Sequence, residues 1–358
     1  MSRLKVVVVG EQFPDSFARS ISDNLRAMGH DVTNLSVARA HRFHGRFRQA
    51  FWTYVPKAFP SIERTAFRDL IRVAKAIQPD LTLTYWYTPP EVVLELKETC
   101  SDKVACWYVD ALTNLDRMYL IASPLDAVFL KEPFLVRSLR DKLGIEAHYL
   151  PECCNPLAYG RVALSDEDRR SYGCDLTAMG TLHYYRARMR EVFDGYDLRI
   201  WGNNCPQWLV SPVRKYYTNQ YVTEGEKAKA LLAAKIVINT INLAEIEGVN
   251  GALFQTAGCG AFQIADWKPS LPELFEPERE IVTFRTRQEL KEKVDYYLAH
   301  PEQRREIADR AYVRARREHT YERRLRKMLE ILGFPSAADS PKHQLTPIGA
   351  ERSSCLDC

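Results

Sequence analysis

Glu247-Gly-Val-Asn-Gly-Ala-Leu-Phe-Gln255, continued by Thr256-Ala-Gly-Cys-Gly260, lies between two apolar runs. Ahead of it, Ala234-Lys-Ile-Val-Ile-Asn239 is β-branched and ends in Asn, the composition of a buried strand. Behind it, Ala261-Phe-Gln-Ile-Ala265 reads as another. Between them Asn250 or Gly251 can open a short helix through Leu253, Phe254 and Ala257, closed by Gly258 and Gly260. A strand, a loop with two glycines and a helix start aim unpaired N–H groups and a positive dipole end at one point. That suits a phosphate or diphosphate. Glu247, at the entrance of the loop, is placed to accept hydrogen bonds from hydroxyls carried by such a ligand.

Further landmarks follow in order: Asp266, Leu271-Pro-Glu-Leu-Phe275, Glu280-Ile-Val-Thr-Phe284, Tyr296-Tyr-Leu-Ala-His-Pro301 and Glu318-His-Thr-Tyr-Glu-Arg323. With the Glu247 run, this series resembles the nucleotide-diphosphate-sugar signature of GT-B glycosyltransferases. The resemblance is closest to the spore-maturation-type (CgeB-like) group and runs from about Cys174 to about Arg324. It implies an α/β fold of two doubly wound Rossmann-like domains facing each other across a cleft. It also implies transfer of a hexosyl or related sugar from a UDP- or GDP-linked donor, with no metal. In the family the second acid of the signature grips the nucleotide ribose; here it is Gln255, which can donate and accept but supplies no charge. Where the CgeB-like group carries an Arg two residues after the Asn, this chain has Ala252.

Length and composition agree with two ordinary globular domains. The 358 residues are 46% hydrophobic and 27% charged, and the net charge of +4 does not argue for nucleic acid. No apolar run approaches the roughly 20 residues of a membrane span. Met1-Ser-Arg-Leu-Lys5 leads straight into a strand, so no signal peptide is expected. Nine scattered cysteines read as reduced thiols, and the chain is expected in the cytoplasm or peripheral to the inner face of the membrane.

The first half opens with strand Leu4–Val9 and Gly10, a helix from about Asp15 stopped by Gly29, and strand Val32–Val37. This β-α-β start predicts a parallel sheet with helices on both faces. A dinucleotide fingerprint would need three spaced glycines after the first strand; only Gly10 is there. Residues 39–57 interleave Arg39, Arg42, Arg46, Arg48 and Lys57 with seven aromatic or His residues. Both an acceptor- or membrane-facing loop and an amphipathic helix docking its aromatics fit that pattern. A helix from Ile62 to Ile77 follows. Strand Lys103–Asp110 then delivers Asp110 to the carboxyl edge, where α/β sheets hold ligands. Asp110 could act as a base toward an acceptor hydroxyl or hold a sugar ring, or simply cap the next helix.

The expected division is 1–152 for the acceptor-side domain, 153–173 for a linker, 174–332 for the nucleotide-sugar domain and 335–358 for a disordered tail. The last helix is expected to pack back on the first domain. Asp166-Glu-Asp168 imitates a metal-binding DxD, but following Ser165 it reads as acidic capping. In the second domain Gly180 ends a strand, and His183, Arg186 and Arg188 follow it. The resemblance assigns Arg186 or Arg188 to the diphosphate, Gly202 to the nucleotide-base pocket, and helix-start amides near Asn250, Gly251, Ala252 and Leu253 to the donor. Gln255 would hold the ribose, and Glu247 would orient the sugar. Residues Glu302 to Lys327 carry ten Arg/Lys against five Asp/Glu, a solvated face or a weak anionic-membrane surface. Two other readings stay open: a non-catalytic sugar-nucleotide-binding or surface-layer relative, and a sugar-nucleotide epimerase. The acceptor, whether sugar, lipid or protein, is not encoded legibly.

Overall fold

The computed structural model describes residues 3–35, 59–85, 88–112, 118–203 and 205–334. The basic, aromatic run at 39–57 and the tail at 335–358 lie outside the described residues. Among the described residues no helix is long and apolar enough to cross a membrane.

Two parallel sheets carry the chain. The first contains β1 (Lys5–Val9), β2 (Asp31–Leu35), β3 (Leu81–Thr84), β4 (Lys103–Tyr108), β5 (Ala127–Leu130) and β6 (Ala147–Tyr149), in the order β2-β1-β3-β4-β5-β6. The second contains β7 (Cys174–Met179), β8 (Leu198–Trp201), β9 (Ala234–Asn239), β10 (Gln263–Asp266) and β11 (Val282–Phe284), in the order β11-β10-β9-β7-β8. Every pairing in both sheets is parallel. The central strands are buried residue after residue, as Val6 to Val9 show, because helices cover both faces.

Three helices depart from the simplest reading. The first is Phe17–Ala27, opened by Ser16 rather than Asp15; Asp15 has φ 67° and cannot be helical. The expected 62–77 helix is two, Pro60–Thr65 and Arg68–Ile77. The break falls at Phe67, which is drawn fully into the core with Val7, Val9 and Ala74. The last helical region also divides, into Pro301–Glu318 and Tyr321–Ile331, with the Thr320 side chain capping the second piece. Ser165 and Asp168 form a reciprocal capping box, so the DxD-like acids serve the Asp166–Tyr172 helix.

The chain passes between the sheets at one place. Cys154 N–H donates to His319 O at 2.8 Å, and Tyr321 N–H donates to Cys154 O at 3.3 Å, pairing the two crossing segments. Beyond the crossing, Tyr321, Leu325, Met328 and Leu329 join Ile21, Leu25 and Trp107 in the first sheet's core. Before it, Ala311 and Ala315 pack with Leu253 and Phe254 under the second. His319 is buried at this junction. One ring nitrogen contacts Leu274 O at 2.6 Å and the other receives Arg324 Nη2 at 2.9 Å. Burial first, then the Arg324 charge, pushes His319 down to about 4 from 6.5. Its folded pKa is depressed, so the neutral ring stabilises fully above pH 6.5, and that stability is lost as pH falls through 4. Urea melts at pH 7 and pH 4.5 should differ by about 2–3 kcal/mol from this group, and His319→Gln should flatten the difference.

Candidate functional site

The Gly251–Cys259 helix starts where Asn250, extended at φ −94° and ψ 164°, accepts the Leu253 N–H through its side chain at 3.2 Å. Asn250 is held by a reciprocal amide pair with Asn239 at the end of β9, at 2.9 and 3.1 Å. Gln263 on β10 donates to Leu253 O at 2.8 Å. No described residue accepts from the N–H of Gly251 or Ala252. These amides stand beside a cavity of about 220 Å³, which Gly180, Trp201, Asn250, Ala252, Gln255 and the two cations Arg186 and Lys227 help to line. Arg186 Nη1 donates to Thr181 O at 3.0 Å, holding the guanidinium at the wall. Burial lowers its pKa, while the Glu245 and Asp266 carboxylates pull it back. Asp266 accepts from Ile241 N–H at 2.8 Å and Tyr185 OH at 3.2 Å, and burial pushes it up to about 6.

Five of the residues singled out from sequence therefore share one cavity: Gly180, Arg186, Asn250, Ala252 and Gln255. Gly202 does not line it but adjoins Gly180, since a Cβ on Gly202 would lie 2.9 Å from Gly180 O. Leu253 is wholly buried and only its N–H faces the cap. His183 is exposed at the start of the Tyr184–Arg190 helix, and Arg188 points outward to Glu191 at 3.0 Å. Of the two arginines considered for the diphosphate, Arg186 is the one at the cavity. Glu247 turns the other way: Oε1 meets Arg137 Nη2 at 2.6 Å, beside a separate hollow lined by Arg140, His148 and Glu273. Asp110 is exposed at the end of β4.

From the first sheet's side, a set of charges that the sequence did not single out meets the loop and helix start at Gly248 and Gly251. The expected free amides of the 246–248 loop are taken: Glu132 accepts from Ile246, Glu247 and Gly248 N–H at 3.0, 2.9 and 2.9 Å. Gly248 permits this, because a Cβ there would lie 2.4 Å from Lys131 O. Lys131 Nζ sits between Glu245 at 3.0 Å and Glu152 at 3.3 Å. Burial works against its charge, but Glu152, Glu245 and the more distant Asp110 outweigh it and hold the ammonium above its usual range. Burial likewise raises Glu152; Lys131 opposes this, and Glu245 and Asp110 reinforce it. At the opposite rim Asp15 reaches Lys227 Nζ and Glu224 N–H, each at 3.3 Å, and accepts from Tyr159 OH. One signal was available: Lys131-Glu132 follows the carboxyl end of a strand, where α/β sheets hold ligands.

Loops at the carboxyl ends of two parallel sheets thus meet across a cleft, and this is the GT-B fold. A family model described as glycosyl transferase-like matches residues 182–330. No curated protein matches the chain by sequence. Among solved structures, sucrose-phosphate synthase from Thermosynechococcus elongatus is similar at 14% identity and TM-score 0.68, over 92% of this chain and 98% of that one. Anabaena HepE in complex with UDP and glucose is similar at 10% identity and TM-score 0.61, over 92% and 100%. A glycosyltransferase from Rickettsia africae is similar at 11% identity and TM-score 0.60, over 93% and 98%.

Proposed function

We propose that this protein is a glycosyltransferase that moves a sugar from a nucleotide-diphosphate donor to an acceptor hydroxyl. The observation that carries the reading is the pair of unpaired helix-start amides at Gly251 and Ala252, beside a cavity that also holds Arg186 and Gln255. Two N–H groups, a positive helix end and a guanidinium can hold a diphosphate and stabilise it as it leaves, which removes the need for a metal in this role. Gln255 would hold the ribose, with the base toward Gly180 and Gly202. The 174–332 portion would take the donor and the 1–152 portion the acceptor, with Asp110 at the acceptor side. Glu247 would reach the sugar only after releasing Arg137. A UDP-linked donor is supported by the UDP and glucose bound in Anabaena HepE. The seven cysteines among the described residues are free thiols, in keeping with a reducing compartment.

The test is thermal stabilisation of the purified protein by a panel of UDP- and GDP-sugars, followed by turnover. A donor present at about 100 times its Kd should stabilise by about 2.7 kcal/mol. Arg186→Ala should lower kcat by roughly 10²–10³-fold. No shift with any donor sinks the reading. Binding without transfer or hydrolysis would favour a sugar-nucleotide sensor, which the uncharged Gln255 and the Glu247–Arg137 pairing support.

A further inference from the structure

Resting on the diphosphate seat just proposed, we infer that Lys131 is a second cation of the donor site. Glu152 is the counter-ion that Lys131 gives up when a nucleotide diphosphate binds. Lys131 leaves the end of β5 with a side chain only 6% exposed, and its ammonium bridges Glu245 and Glu152. The other oxygen of Glu152 lies 2.4 Å from where a Cβ on Gly251 would be. A single carboxylate therefore spans from the Lys131 ammonium to the first residue of the helix whose amides have no acceptor.

Two carboxylates share one ammonium at that point. Lys131 faces Glu152 and Glu245, with Asp110 farther off, while Tyr321 and Cys153 pack beside Glu152 as neutral groups. Glu245 also lies in the field of Arg186, so Glu152 is the carboxylate held by Lys131 alone, and it stands against the first residue of the helix whose amides are proposed to take the diphosphate. Geometry says which one yields. Glu245 is 11% exposed, binds the ammonium at 3.0 Å, and its main-chain oxygen accepts from Lys268. Glu152 is 19% exposed and binds at 3.3 Å. Glu245 anchors the lysine and Glu152 swings away. Arg186 is coupled to the same Glu245, so the diphosphate would be met by a cation from each sheet. Gly251, lacking a side chain, leaves room for the exchange.

Calorimetric titration of the full chain with UDP, GDP and uridine tests this. Glu152→Gln should bind the preferred diphosphate about tenfold tighter, with uridine affinity unchanged, because a repulsion of about 1.4 kcal/mol is removed. Lys131→Met should weaken the diphosphate at least tenfold and leave uridine alone. Lys131→Met strands two buried carboxylates, so the double variant Lys131→Met/Glu152→Gln is the control for folding; it should bind the diphosphate more weakly than Glu152→Gln alone. Unchanged or weaker diphosphate binding in Glu152→Gln, or equal loss of uridine and diphosphate in the lysine variants, overturns the inference while the donor reading stands. Failure of both UDP and GDP to bind the folded wild type overturns the donor reading and this inference together.

Discussion

Arg190→Met should make the protein more stable and less active. The side chain is 1% exposed, and its one hydrogen bond runs from Nη2 to Thr240 Oγ1 at 3.1 Å. Nε and Nη1 are buried without partners. Burial above all, then the neighbouring Arg186 charge, drives Arg190 down to about 9, against the pull of Tyr217 and Asp266. A base whose folded pKa is depressed while still ionised at pH 7 costs folding free energy at every pH below that value. Replacing such a group with an apolar side chain of similar volume commonly stabilises by about 1–4 kcal/mol. That corresponds to roughly 2–4 °C per kcal/mol in a domain of this size. Arg190 stands one helical turn from Arg186 and ties its helix to Thr240, where the site loop begins. Turnover should fall about tenfold or more through misplacement of Arg186. Calorimetry and kinetics on one preparation decide the matter. A lower melting temperature, or full activity at a higher one, refutes the account.

Glu132→Ala should cost about 3–5 kcal/mol, from three hydrogen bonds to a charged acceptor, and loosen the loop that carries the site. Glu132 is 4% exposed and its two oxygens take three consecutive amides of the opposite sheet's loop. Charge-assisted bonds of this kind are about twice as strong as neutral ones, and their loss leaves three donors without the acceptor they now share. Hydrogen exchange should accelerate at Ile246, Glu247 and Gly248 well before it does in β9. Glu132→Gln keeps an acceptor without the charge and should fall between. Unchanged protection of these amides would show that the carboxylate does not hold the loop.

These two residues mark the limit of what the sequence disclosed. The strand-loop-helix around Gly251 was legible because local signals agree: β-branched residues, an Asn cap and closing glycines. Arg186 was legible because it follows a strand-ending glycine. Glu132 was not, since its partners lie 114 to 116 residues away and a carboxylate before Pro133 looks like a helix start. Glu152 fell at the last position of the expected 1–152 domain, beside the linker, where no motif marked it. The basic surplus at 302–327 read as a solvated face or, more weakly, as a surface for an anionic membrane. In the fold Arg305, Arg310 and Arg326 pair with acids one turn away, while Arg316 and Arg324 donate to backbone carbonyls. The break at Phe67 had no proline or glycine to announce it; tertiary burial of the ring imposed it.

The paired crossing at Cys154 and Thr320 has a mechanical consequence. Two ribbons bonded side by side resist shear and stretch but tolerate a twist, so the lobes share one pivot rather than two independent tethers. Any widening of the cleft is then a swing about that line. The Glu132 clasp and the Asp15–Lys227 pair must release for it, and the travel is greatest at the rim farthest from the pivot.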